Sequence, residues 1–191
     1  ADIMAGAFNA LPKRVCNQHK FSDYADYLRE NLPAQAELDL QREKPLNPAP
    51  LVSVAIACSG ASRAAVRSTL EALGKQTYAN FEVCVVSELA QAGLTDYEGI
   101  PKFRLVLFNG TADGQVKAAE KMLNGAYFLQ LLPGDLPAPD ALHMLVLQTH
   151  ANPEAEVVFA DEDSVIDGIR QNPIFKPDYG RDTLRSFNSI G

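Results

Sequence analysis

The sequence predicts an α/β fold: a doubly wound, mainly parallel sheet with helices on both faces, preceded by a helical N-terminal segment. Three observations carry that expectation. Short apolar runs such as residues 51–57 alternate with stretches whose apolar residues recur every three or four positions, the order that builds βαβ units. The run at 51–57 is continuous, as in strands covered on both faces. Helix starts and stops are marked between the runs, at Ser62, Gly74 and Asn152-Pro153, by capping and breaking residues.

Taken in order, residues 21–44 read as helix, because Phe21, Tyr24, Leu28 and Leu32 share one face. Ser22 is a candidate cap, and Pro33 can open a second helical segment. Three prolines at 45, 48 and 50 then force an extended linker, since proline neither continues a helix nor sits in a central strand. Residues 51–57 form the first strand. Ser62 caps a helix that presents Val66, Leu70 and Leu73 on one side and stops at Gly74. Residues 82–87, 103–108 and 127–132 make the second, third and fourth strands, with a helix at 113–123 between the last two. Another helix covers 139–150, and the apolar run Val157-Val158-Phe159 gives a fifth strand at 157–160.

Composition narrows the function. The 191 residues are 47% hydrophobic, enough for one good core with an appendage. We divide them into a helical leader and Pro-rich linker at 1–50 and one domain at 51–191. The net charge of -7 and the lack of a basic stripe argue against a nucleic-acid surface. Three cysteines without CxxC spacing make neither a disulfide framework nor a zinc site, and Cys58 and Cys84 fall in apolar runs as reduced core thiols. A reducing cytoplasm is the expected setting. No apolar stretch approaches the roughly 20 residues that span a bilayer. Residues 1–14 are too short and too broken by Pro12 for a signal peptide, and the missing initiator Met and terminal helix predict a piece of a longer polypeptide.

His19, His143 and His150 are scattered and stand near no nucleophile, so they read as structural. Neither GxGxxG nor GxxxxGK[ST] occurs, which counts against a dinucleotide site or a P-loop. Asp161, Glu162 and Asp163 are more informative. Adjacent acids repel unless a cation offsets them, and after a fifth strand they stand at the sheet edge where ligands bind. On extended backbone Asp161 and Asp163 point to one side and Glu162 to the other. A solvated strand end is the plain alternative.

Gln76-Thr77-Tyr78 with Asn80 and Glu82, Pro139-Asp140-Ala141-Leu142, Asp161-Glu162-Asp163, Phe175-Lys176-Pro177-Asp178 and Asn188-Ser189-Ile190-Gly191 together resemble bacterial family 2 glycosyltransferases of the polysaccharide and O-antigen type. The resemblance runs from about residue 20 to residue 191. It implies a GT-A-like nucleotide-sugar-binding domain that stops before the acceptor half, where the family's general base commonly lies. It also implies inverting transfer of a sugar to a growing cell-surface glycan. The implied partners are a nucleotide-sugar donor, a glycan acceptor and other domains or subunits of a glycan-synthesis assembly. The implied place is the bacterial cytoplasm, with peripheral association at the inner face of the inner membrane.

Carried over by position, the donor-binding candidates are Ala57, Ser59, Glu88, Lys117, Asp135 and Lys176, and the catalytic candidates are Asp161 and Asp163. The chain also departs from the family. Ala57-Cys58-Ser59-Gly60 stands where a Pro-x-Tyr-Asn-like turn packs on the nucleotide, and Ser87-Glu88 where paired aspartates meet the base. Leu132-Pro133-Gly134-Asp135 replaces the Asp-x-Asp-Asp that holds Mg²⁺ or Mn²⁺, so Asp135 is the one metal candidate. Lys176 could meet a phosphate or the Asp161 cluster. Each candidate also has a plain reading: a solvated Glu88, a Pro-Gly-Asp turn between strand and helix with Asp135 capping the next turn, a surface Lys176, a hairpin Arg170 after Asp-Gly. A non-catalytic member, a scaffold or a glycan- or nucleotide-binding module, is the main rival function. A nucleotidyltransferase needs a Gly-rich, basic loop after the first strand, which Cys58-Ser59-Gly60-Ala61-Ser62-Arg63 supplies weakly.

Overall fold

The structure, a computed structural model, describes residues 23–87, 100, 102–108 and 110–176. It divides into two compact units, Ala34–Val146 and the pairing of Ala1–Pro33 with Leu147–Gly191.

The first unit is built on four parallel strands: β1 (Val52–Ala57), β2 (Phe81–Ser87), β3 (Phe103–Leu107) and β4 (Tyr127–Leu131), in the order β3-β2-β1-β4. Every residue of β1 and β2 is buried, as expected of central strands covered on both faces. Side chains alternate between two cores. Val52, Val54 and Ile56 meet Val66, Leu70 and Leu73 of α3 (Arg63–Leu73) and Leu142 and Val146 of α5 (Ala141–Ala151). Ala55, Cys84 and Val86 meet Ala119 of α4 (Ala112–Glu120) on the opposite face. Helices therefore cover both faces of a mainly parallel sheet, the doubly wound arrangement. Buried among these side chains, the Cys58 and Cys84 thiols are pushed up to about 11 by desolvation, and both cysteines are unbridged.

Local signals explain the boundaries. Ser62 accepts the Ala65 N–H and caps α3, and Thr111 caps α4 by accepting from Gly114. α2 (Gln35–Glu43) follows Pro33 and Ala34 and anchors to the sheet unit through Gln41, whose Oε1 accepts the Thr77 hydroxyl at 2.7 Å. Three of the residues that carry the resemblance, Gln76, Tyr78 and Asn80, prove to be fasteners at the amino end of the sheet. Gln76 bridges to Ala138 O and the Leu142 N–H, Tyr78 donates to Pro50 O, and Asn80 donates to Ala49 O.

In the second unit, α1 (Tyr24–Asn31) is capped by Asp23, which accepts from the Asp26 N–H; the expected cap Ser22 lies outside the described residues. The expected fifth strand is not there. Residues 157–160 are without strand structure and Val157 is 47% exposed. Instead β5 (Glu162–Ile166) and β6 (Ile169–Ile174) form an antiparallel hairpin closed at Asp167-Gly168, with φ of 53° and 77°. Two consecutive positive φ values are the signature of a type I′ turn, for which Asp-Gly is a favoured pair. A two-residue connection closes at little entropic cost, and it determines where the strands form. Arg170 belongs to this hairpin, as its position after Asp-Gly suggests.

Candidate functional site

The strand order points to a place for a ligand in the sheet unit. From β1 the chain steps outward to β2 and β3, then returns to the other side of β1 for β4. Such a reversal opens a crevice outside the carboxyl ends of the two diverging strands. Ile56 lies opposite Leu131, so the loops that follow β1 and β4 leave the sheet side by side. The first carries Cys58, Ser59 and Gly60; Gly60 has φ of 68° and open space around its Cα. The second is residues 132–135. Among the sequence candidates, Ala57, Ser59 and Asp135 thus share this rim, while Glu88 lies outside the described residues.

The second loop is tightly built. Asp135 Oδ2 accepts the Leu132 N–H at 2.7 Å, and the Asp135 N–H donates to Leu132 O at 3.0 Å. Thr69, fully buried on α3, accepts the Gly134 N–H at 2.8 Å. Gly134 takes φ of 106°, a conformation that residues with side chains rarely adopt. Thr69 escaped the sequence reading because a threonine inside an amphipathic helix carries no signal of a distant partner.

Lys117 lies on α4. It is exposed in the last turn of α4, two positions past Gln115, which faces the sheet. A side chain there is not at the helix N-terminus where anions gather. Gln115 is the residue with an unexplained environment: it is fully buried, and both Nε2 and Oε1 are without a partner among the described residues.

The acid triplet belongs to the other unit and to the start of β5, not to the carboxyl end of a central strand. A register irregularity between Glu162 and Ser164 breaks the simple alternation expected there. Each acid has a neighbour in the chain, with Lys176 serving two of them. Asp161 Oδ1 accepts the Lys176 N–H at 2.7 Å, Glu162 pairs with Lys176 Nζ at 3.5 Å, and Asp163 Oδ2 receives Arg170 Nε at 2.6 Å together with the Tyr24 hydroxyl. Cations offset the repulsion, as the chemistry requires, and they come from the chain itself. Beside them Tyr24 and Tyr27 stack, and Phe175 meets Tyr27 edge-on with ring centres 5.4 Å apart. Burial, then the Asp163 hydrogen bond, pushes the Tyr24 phenol up to about 12.

A divalent metal expected from the resemblance can be tested against these donors. Mg²⁺ and Mn²⁺ take hard oxygen ligands in a near-octahedral shell. Leu132, Pro133 and Gly134 offer no side-chain oxygen, and one oxygen of Asp135 closes its own turn. Among the described residues no group of three or more His, Cys, Asp or Glu stands close enough to hold a cation. The described residues do not fit a metal centre at Asp135.

Of the histidines, His143 is buried, and burial lowers its imidazole despite nearby Asp140. It lines a shallow cavity of about 200 Å³ with Gln41, Arg42 and Tyr78, at the amino end of the sheet and away from the rim. Among the described residues no helix is long and apolar enough to cross a membrane.

No protein-family model matches the chain. Among curated proteins it is 33% identical over 150 residues to the uncharacterized protein y4gI of Sinorhizobium fredii (strain NBRC 101917 / NGR234), covering 74% of this chain and 16% of that protein. It is 26% identical over 178 residues to the O-antigen biosynthesis protein RfbC of Myxococcus xanthus, covering 88% of this chain and 14% of that one. The chain is a distant homologue of both and spans about a sixth or less of their length.

Proposed function

We propose that the chain is the nucleotide-sugar-binding part of a family 2-like glycosyltransferase, acting in the synthesis of a cell-surface glycan within a longer protein. The observation that carries this reading is the switch in strand order between β1 and β4, flanked by the loops after those strands. The distant homology to an O-antigen biosynthesis protein over 88% of the chain supports the glycan context. In the reaction, an acceptor hydroxyl attacks the anomeric carbon opposite the nucleoside diphosphate. The new C–O bond forms as the bond to the diphosphate breaks, and a carboxylate takes the hydroxyl proton. No described carboxylate is assigned that role, because Asp135 closes a turn and Asp163 is held by Arg170 and Tyr24. The cytoplasmic setting, the peripheral contact with the inner membrane, the glycan acceptor and the partner domains are part of this proposal.

A second reading keeps the fold without the chemistry: a scaffold, or a glycan- or nucleotide-binding module. The closed Asp135 turn favours it, since in this state the loop directs no acid cluster at a donor phosphate. Calorimetry with UDP-, GDP- and dTDP-sugars separates a donor site from a scaffold, and release of the nucleoside diphosphate on adding a glycan acceptor separates a transferase from a binding module. Saturable binding of one donor class supports the donor site, whereas no heat with any donor leaves the scaffold.

A further inference from the structure

The loop after β4 is held at Leu132, Gly134 and Asp135. Leu132 gives its N–H to the Asp135 carboxylate and its carbonyl to the Asp135 N–H. Gly134 gives its N–H to Thr69, whose hydroxyl also lies 3.4 Å from Leu132 O. Gly134 φ of 106° permits the turn. Every one of these bonds is internal, and the carboxylate supplies one of them. For Asp135 Oδ2 to turn toward a cation, it must release the Leu132 N–H. Loss of that hydrogen bond opposes the swing, with the exposed Leu132 N–H turning to water instead.

From this geometry we infer that residues 132–135 form a self-closed rim that works without a divalent cation, with Asp135 and Thr69 as positioning residues that shape it. The second half of the inference rests on the proposed donor reading: a nucleotide that seats at this rim does so independently of metal. Asparagine can accept the Leu132 N–H as aspartate does but lacks the negative charge that a carboxylate offers Mg²⁺ or Mn²⁺. A turn-closing role and a metal role therefore respond oppositely to Asp135→Asn.

The experiment uses the whole chain, stripped of metal with EDTA, as wild type, Asp135→Asn, Asp135→Ala and Thr69→Val. Thermal unfolding is followed with and without Mn²⁺, and Mn²⁺ alone and then UDP, GDP and dTDP are titrated by calorimetry. The expected result is that Asp135→Asn unfolds near the wild-type temperature while Asp135→Ala and Thr69→Val unfold several degrees lower. Mn²⁺ alone neither binds through Asp135 nor moves any midpoint, and any nucleotide affinity is the same with EDTA as with Mn²⁺. Mn²⁺ binding present in wild type and lost in Asp135→Asn overturns the inference, as does Asp135→Asn falling as far as Asp135→Ala. Nucleotide binding only with Mn²⁺ overturns it while leaving the donor site standing. Failure of all nucleotides removes the donor reading, and the Mn²⁺ and unfolding arms still decide the role of Asp135.

Discussion

Ser53 on β1 donates its hydroxyl to Glu82 on β2 at 2.8 Å, and Glu82 is only 1% exposed. The same carboxylate accepts the Asn124 N–H at 2.6 Å and faces Arg104 at 3.6 Å, so one buried acid ties three strands together at their amino ends. Burial alone raises a carboxyl's pKa. Here the Asn124 N–H, the Ser53 hydroxyl and the charges of Arg104 and Lys102 outweigh it and hold Glu82 below the usual glutamate range.

Glu82→Gln is therefore expected to cost roughly 1–3 kcal/mol in urea unfolding at neutral pH, because a buried hydrogen-bonded charge is replaced by an amide that satisfies part of its network. The pH dependence has a definite sign. A folded pKa below the unfolded value of about 4.3 means stability present above that pH and lost as pH falls through the folded value. The wild type should lose more stability than Glu82→Gln below pH of about 4.3. Parallel acid limbs for the two proteins would contradict the assignment.

Gly125 is needed for a different reason. A Cβ there meets Ser53 Oγ at 2.5 Å, Ser53 N at 2.7 Å and Leu51 O at 2.8 Å, two of them backbone atoms of the first strand and its entry. Gly125→Ala is expected to destabilise by about 1–3 kcal/mol, the usual cost of overpacking. A change within about 0.5 kcal/mol, the ordinary range for surface positions, would mean that the approach is looser than described.

Gln115 offers the opposite sign. Its amide is buried and lacks a partner among the described residues, and an unpaired buried polar group costs about 1–3 kcal/mol. Gln115→Met keeps the shape without the amide. Differential scanning calorimetry should show the melting temperature rising, by about 2–4 °C per kcal/mol for a chain of this length. A fall would show that the amide has a partner that the described residues do not supply.

Tyr24 reports on the hairpin unit. Its phenol, pushed up to about 12 by burial and then by Asp163, should titrate late in ultraviolet difference spectra. Asp163→Asn should bring that tyrosine back toward its usual value of about 10, with Tyr24→Phe identifying the signal. Because the folded pKa is raised, the associated stability is complete below the unfolded value and declines as pH climbs toward the folded one. An unchanged titration in Asp163→Asn would separate Tyr24 from the acid.

Much of the fold was legible because its signals are local. The buried runs at β1 and β2, the Ser62 cap and the helix that ends at Gly74 each needed only a few neighbouring residues, and all appear where expected. The fifth strand failed because Val157-Val158-Phe159 is apolar without being paired, whereas Asp167-Gly168 brings β5 and β6 together within two residues. The site was harder to read. Asp135 reads from the sequence as either ligand or turn, but the Thr69 hydroxyl that braces its loop lies 65 residues from Gly134, a distance over which no residue pattern speaks. The acid triplet suggested a need for cations and Lys176 offered one, which pairs with Glu162, yet nothing in the spacing told that Arg170 would take Asp163.

The account stands on a donor nucleotide seating at the switch between β1 and β4, and amide NMR of the whole chain with a UDP-, GDP- or dTDP-sugar tests that most directly. The predicted result is a saturable set of shifts centred on Ser59, Gly60, Leu132, Gly134 and Asp135. Shifts confined to the His143 cavity at the other end of the sheet, or none with any donor, would contradict it.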